Sequence, residues 1–201
     1  MALDEVLLQS SQVAILRFYR WREATVSFGY FGKVAEARAF AAGRAMVRRW
    51  TGGGIVPHGD DLTYSLILPA TAPATALSSP ALYQHIHTTI AQCLARTGLR
   101  ATLASGSVPR RSDACFANPV LADLMLNGHK IAGAAQRRTR TGLLHQGSIQ
   151  LTVDEALLRQ NLAAALADEV EIAQDTPTRL LEEAKRLAAQ KYASERWLGR
   201  C

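Results

Sequence analysis

The chain has 201 residues, 48% apolar and 20% charged, which suits one large soluble domain or two small ones with a real core. No apolar run approaches the roughly 18–20 residues that span a bilayer, and MALDEVLLQSSQ carries two acids and no basic leader, so a cytoplasmic protein without membrane contact is expected. A net charge of +6 and a pI near 9.6 favour an acidic partner, be it nucleic acid, an acidic protein or a phosphate-bearing substrate.

In chain order, Met1–Ser10 has Leu3, Val6 and Leu7 at helical spacing and reads as the end of a helix. Val13–Tyr19 and Thr25–Tyr30 are β-branched and aromatic, and the short polar link between them predicts a strand pair. Gly32–Arg44 has the periodicity of a helix and Met46–Trp50 that of a short strand. Three glycines, Gly52, Gly53 and Gly54, interrupt the pattern before Ile55–Val56 and a buried strand over Leu62–Leu68. Thr71–Pro80 is a loop whose end caps a helix over Pro80–Thr97, with Pro at its first position and Gly98 after it.

Leu99–Ala104 predicts a strand and Ser105–Asp113 a polar loop. Asn127-Gly128 then joins strands Leu121–Leu126 and Lys130–Ala135 in a hairpin. A strand over Leu143–Val153 and helices over Asp154–Asp168 and Thr178–Trp197 complete the chain, the last helix turning Leu180, Leu181, Ala184, Leu187 and Ala188 inward. Hairpins instead of regular strand–helix–strand repeats predict an α+β fold, with a mixed, mainly antiparallel sheet packed with helices. One domain over residues 1–201 is the economical division.

Two patches stand out. In RRWTGGGIVPHGDDLTYS, the consecutive glycines fit either a main chain passing close to a ligand or a tight turn. Arg48 and Arg49 precede them on a strand and so point to opposite faces, one toward a site and one to solvent. Neither common phosphate-loop pattern is present. The second patch runs from Cys115 to Gly147. Cys115 lies near Arg110 and Arg111, and nearby cations favour a reactive thiolate, although a small buried hydrophobe is the alternative. Cys93 belongs to an apolar helix face, and Cys93, Cys115 and Cys201 at unrelated spacings form neither a disulfide framework nor a metal site. Lys130, followed by Gly133, Ala134 and Ala135, is either a surface charge or a cation held over close-packed backbone. Arg137, Arg138 and Arg140 read as a solvated basic edge, and His85 and His87 as helix-surface residues. His58 and His145 adjoin the two patches but lack metal-ligand spacing.

Together the patches resemble a known family. RRWTGGGIVPHGDDLTYS is similar to the RR-x-[ST]-GGG-x-V-x-HD…YS signature of the lipoate–protein ligase, biotin–protein ligase and octanoyltransferase superfamily. NGHKIAGAAQRRTRTGLLHQGSI resembles its G-x-K-[IV]-x-G-[SA]-A-x-R…HGS signature, and RFYRW…TVSFGYF its early strands. The sequence departs at His58-Gly59, where the family has His-Asp, and at Gln146-Gly147, where it has His-Gly. The strand usually ahead of Met1 is also absent.

The resemblance implies a class II synthetase-like catalytic domain without a C-terminal accessory domain. ACFANP resembles the cysteine-dependent octanoyltransferases, which implies Cys115 as acyl-accepting nucleophile and Lys130 as the cation on the acyl oxygen. Arg49, Gly52, Gly53, Gly54, His58, Gly133, Ala134 and Ala135 are then the substrate-binding candidates. The implied donor is an acyl carrier protein thioester. The implied acceptor is a lysine of a lipoyl domain, such as the glycine cleavage H protein or a 2-oxoacid dehydrogenase E2, and no cofactor is needed. A lipoate–protein ligase working through acyl-AMP would need ATP and Mg. A non-catalytic basic binding protein or accessory subunit is the reading of another class, and nucleic acid is not an expected partner because few aromatics interleave with the arginines.

Overall fold

The computed structural model describes residues 1–106 and 119–200, so Cys115 and its flanking arginines, Arg110 and Arg111, lie outside the described residues. Two sheets form the frame. The larger has the order β1-β5-β9-β8-β7-β6, built from Ile15–Tyr19, Leu62–Pro69, Gly142–Ile149, His129–Thr139, Leu124–Leu126 and Thr102–Leu103, with every neighbouring pair antiparallel. The smaller has the order β3-β2-β4, from Ala45–Arg48, Thr25–Phe28 and Val56–His58, with β2 parallel to β3 and antiparallel to β4. A mixed, mainly antiparallel α+β fold results. Among the described residues no helix is long and apolar enough to cross a membrane.

Alternation along the central strands sorts side chains between two faces. Leu62, Tyr64, Leu66 and Leu68 of β5 and Leu143 and Ile149 of β9 pack with Leu82, Ile86, Ile90 and Leu94 of α3 (Ser79–Ala95) and Leu158 and Leu162 of α4 (Glu155–Leu166). Ile67 of β5 and Leu144 of β9 meet Leu7 and Leu8 of α1 (Ala2–Ser10) on the opposite face. Ser78 and Asp154 cap α3 and α4 by accepting the amides of Ala81 and Leu157. The β7–β8 turn is Asn127-Gly128 with φ of 50° and 79°, the doubly positive geometry that this dipeptide favours in two-residue hairpins.

Several elements differ from the sequence expectation. Strands β1 and β2 do not pair with each other: β1 pairs with β5, and β2 belongs to the other sheet. The link over residues 20–24 anchors one sheet to the other instead of turning a hairpin. Arg20 donates to the Asp60 carbonyl at 2.8 Å and to Glu155 at 2.6 Å, while the Trp21 ring stacks on His58. The helix expected over Thr178–Trp197 is interrupted. α5 (Thr178–Leu187) passes through a wide turn at Ala188–Tyr192, and Ser194 caps a new helix, α6 (Glu195–Leu198). The turn lets Lys191 and Tyr192 both bind Glu5, each with an oxygen at 2.6 Å, and leaves Leu181 38% exposed instead of inward.

Burial also overturns three surface assignments. Arg48 is fully buried, not solvated, and donates to the carbonyls of Tyr30, Gly32, Leu198 and Arg200. Arg137 lies between the rings of Tyr30 and Trp50, 4.6 and 4.7 Å from their centroids. Arg138 binds Ser79 and the carbonyls of Thr75 and Leu77 but stays exposed, so Arg138 and Arg140 both keep the expected character of an exposed charge. His87 is fully buried and binds the Ala122 carbonyl at 2.6 Å, whereas His85 is exposed as expected. A side chain's period on a helix does not reveal that a loop will cover it.

Removing the Arg48 guanidinium strands several buried carbonyls, so Arg48→Ala should cost about 3 kcal/mol, a fall in Tm of roughly 6–12 °C. The buried histidines generate an acid-lability prediction. Burial lowers His87 to about 4 and lowers His58 and His145 below the ordinary range as well. A depressed folded value means that the unfolded chain binds the extra proton. Stability is therefore complete above about pH 6.5 and declines below it by about 1.4 kcal/mol per pH unit for each histidine still neutral when folded. Urea titrations at pH 7, 6 and 5 should show this slope, and His87→Gln should remove its share down to about pH 4.

Candidate active site

Between the sheets lies an open groove of about 450 Å³, with Ser27, Arg49, Gly53, Val56 and His58 on the small-sheet side. The large sheet contributes Tyr19, Thr63, Gly133, Ala134, Ala135 and residues 146–148. The two sequence patches therefore face each other across one cavity.

The glycine run is held in place from both sides. Arg49 donates to the Gly52 carbonyl at 3.0 Å and the Gly54 carbonyl at 2.7 Å, so the glycine-rich main chain wraps one guanidinium. Gly53 has φ of +86°, and a Cβ there would lie 3.3 Å from the Ala135 Cβ across the groove. A Cβ on Gly29 of the following loop would lie 2.0 Å from the Gly53 carbonyl oxygen, so Gly29 is needed for the run to lie against β2. Thr51, fully buried, donates to the Gln146 amide oxygen at 2.9 Å. Gln146 in turn donates to Asp4 of α1 at 2.7 Å, and Asp4 also binds Arg17 and Ser65. Gln146, not His145, occupies the groove face of β9. His145 points to the α3 side, where Tyr64 lies 3.1 Å from Nε2 and Gln136 3.1 Å from Nδ1.

A second polar chain runs along the groove wall. Arg49 donates to Ser27 Oγ at 2.6 Å, and Ser27 Oγ lies 2.6 Å from His58 Nε2. His58 Nδ1 lies 2.8 Å from Asp61 Oδ2. Asp61 also receives Thr63 Oγ at 3.0 Å, Ser148 Oγ at 2.7 Å and the Gly59 amide at 3.0 Å. Burial opposes the Asp61 charge, but the hydrogen bonds and charge interaction from His58, with those from Ser148 and Gly59, outweigh it and bring the carboxyl down to about 2. Thus Asp61 holds His58, while Gly59 and Asp60 are exposed.

Lys130 sits beside this groove on β8, with its ammonium 2.6 Å from Asp123 and its side chain buried. A Cβ on Gly133 would lie 2.6 Å from Lys130 Cε and 2.8 Å from Nζ, so Gly133 makes the room that Lys130 occupies. Asp123 also receives the Tyr83 hydroxyl and, at 2.7 Å, the Val120 amide; Tyr83 in turn accepts the Ala134 amide at 3.0 Å. The cation is thereby fixed to the stretch of β8 that lines the groove. Gly133 pairs with Ser148, the β9 residue that donates to Asp61, so β9 separates the Lys130 and Asp61 clusters.

Of the sequence candidates, Arg49, Gly53, His58, Gly133, Ala134 and Ala135 line the groove, and Gly52 and Gly54 act through their carbonyls on Arg49. Lys130 stands behind Gly133. Cys115 lies outside the described residues. The candidates did not include Ser27, Trp21, Thr63, Ser148, Tyr83 or Asp123. Ser27 and Trp21 fall inside a stretch already notable for its resemblance; Tyr83 and Asp123 lie 40 residues apart and carry no local signal. Among the described residues no three His, Cys, Asp or Glu side chains are grouped to hold a metal ion.

Residues 1–189 match the family described as the lipoyl protein ligase A/B catalytic domain. Octanoyltransferase LipM of Macrococcus caseolyticus is 36% identical over 173 residues, covering 77% of this chain and 62% of that protein. The chain thus spans about three fifths of the length of the curated relatives it matches. A crystal structure of lipoate-protein ligase A bound with ATP superposes with a TM-score of 0.76 at 21% identity, over 98% of this chain and 91% of that one. A bi-partite lipoate protein ligase of Thermoplasma acidophilum, described with its E2 lipoyl domain, gives 0.74 at 21% over 100% and 91%. The two facing patches, the two-sheet frame and the match over residues 1–189 agree: this chain belongs to the lipoyl protein ligase A/B catalytic domain family.

Proposed function

We propose that residues 1–201 form a single catalytic domain that moves an octanoyl or lipoyl group from an acyl carrier protein thioester to a lysine of a lipoyl domain. The observation that carries this reading is the groove itself. Its lining is largely main chain and small residues, among them Gly53, Gly133, Ala134, Ala135 and Gly147, which suits an unbranched acyl chain better than a branched one. The named octanoyltransferase relatives support the choice of chemistry. The net charge of +6 suits an acidic carrier.

In the first half of the reaction, the Cys115 thiolate attacks the thioester carbonyl carbon. The carbonyl π electrons move to oxygen, and collapse expels the carrier thiolate and leaves an acyl-enzyme thioester. The Lys130 ammonium, fixed by Asp123, stabilises the developing oxyanion. Its burial leaves it poorly solvated, so it acts as a preorganised charge. In the second half the acceptor amine attacks the same carbonyl, forms the amide and expels the cysteine sulfur. No cofactor enters either half. Both fit a glycine cleavage H protein or a 2-oxoacid dehydrogenase E2 as acceptor.

Mixing the protein with octanoyl-carrier protein should give a hydroxylamine-labile mass adduct on Cys115, and Cys115→Ser should lower turnover at least a hundredfold. Unchanged turnover in that variant, with strict dependence on ATP and Mg, would establish the acyl-AMP ligase instead. Ala135→Leu fills the slot facing Gly53. It should raise KM for the octanoyl donor about tenfold or more while affecting a butyryl donor less, and steady-state kinetics with the two donors would measure the difference.

A further inference from the structure

We propose that Ser27, His58 and Asp61 form a proton relay that removes the proton of the acceptor lysine, an inference that rests on the transferase reading above. An ammonium has no lone pair, and a lysine near neutral pH is almost wholly ammonium. Transfer to an amine therefore needs a group that accepts a proton at the groove. The hydrogen-bond geometry supplies one and fixes the direction of every proton in it.

Asp61 is an ionised acceptor, so the His58 nitrogen 2.8 Å from it, Nδ1, carries the ring proton. His58 Nε2 is then a lone-pair acceptor. Arg49 is donor only, and it occupies one lone pair of Ser27 Oγ at 2.6 Å. The single Ser27 hydroxyl proton consequently points to His58 Nε2 at 2.6 Å. One lone pair of Ser27 remains, and Ser27, itself fully buried, borders the groove. The His58 ring cannot turn away, because Trp21 stacks on it at 4.2 Å and 20° and is itself tied through Thr63 to Asp61.

The charges facing His58 are Asp61 and Arg49; Ser27, Thr63, Ser148 and Trp21 complete its surroundings without charge. Arg49 raises the cost of a second cation nearby, which favours the neutral amine over the ammonium. Asp61 stabilises the imidazolium that forms. Burial lowers His58 below its ordinary value, so the ring is neutral when substrate arrives and gives up its proton readily afterwards.

The proton count closes. The ammonium gives one proton to Ser27 Oγ while the Ser27 proton moves to His58 Nε2. The freed amine lone pair attacks the acyl carbon, the C–N bond forms and the C–S bond breaks. The amine nitrogen loses its second proton to the departing sulfur, which ends as a thiol. His58 returns its proton through Ser27 to water. Ser27 and His58 form no bond to the acyl group.

The test separates the two halves of the reaction. Acyl-enzyme is formed with octanoyl-carrier protein, and its single-turnover transfer to a lipoyl domain is followed by mass spectrometry from pH 6 to pH 10. For Ser27→Ala and His58→Asn, transfer near pH 7 should fall by about a hundredfold, far more than acylation falls. The deficit should shrink about tenfold per pH unit as the acceptor lysine loses its proton unaided. Acylation also reports that each variant is folded, and Ser27→Ala is the smaller change if His58→Asn is not. Normal transfer in Ser27→Ala, an equal loss in both halves, or a loss independent of pH would overturn the relay alone. Wild-type protein that takes no acyl group would overturn the transferase reading and the relay with it.

Discussion

Irregular backbone at the groove can survive burial only if its carbonyls find donors, and two consecutive arginines provide them. Arg48 and Arg49 leave the end of β3 in opposite directions, as neighbours on an extended chain must. Arg48 gathers the carbonyls of Tyr30 and Gly32 in the loop after β2 and those of the C-terminal segment. Arg49 gathers those of the glycine run and also donates to Ser27. Five planar donors on each guanidinium make this possible, and a lysine's compact ammonium would not span the same set. The small sheet, the glycine run and the groove wall all depend on that pair.

The rest of the site follows from how charge is paired inside the groove. Lys130 and Asp61 are ionic centres on either side of β9, and each has a partner of opposite or titratable character, Asp123 and His58. Burying a charge without such a partner would cost several kcal/mol. Pairing also fixes geometry, because each carboxylate receives further donors: Tyr83 and the Val120 amide at Asp123, Ser148, Thr63 and the Gly59 amide at Asp61. A rigid cation on the large sheet and a rigid imidazole on the small one suit a reaction that needs oxyanion stabilisation in one half and proton removal in the other.

The sequence departs from the family signature at Gly59, and Asp61 is the carboxylate that meets His58. Gly59 and Asp60 are exposed, and the chain then turns back so that Asp61 reaches His58. Gln146 is a second departure. It stands where the family signature has histidine, and its amide uses both ends, accepting from Thr51 and donating to Asp4. A neutral amide there joins α1 to the glycine run and carries no titratable proton.

The sequence alone determined the mixed α+β class, the Asn127-Gly128 hairpin and the cap at Ser78, and it singled out the glycine run with Arg49 and Lys130. Those features depend on local chemistry: turn conformations, capping hydrogen bonds and consecutive glycines leave marks within a few residues. Which strands pair, that Arg48 and His87 are buried, that Arg137 lies between two rings, and that Asp61 serves His58 were decided by tertiary structure. So was the meeting of Tyr83 with Asp123 and of Ser27 with His58, because each depends on residues brought together from different sheets or across long stretches of chain. Alternation says that a strand residue faces one side or the other; only packing says what waits there.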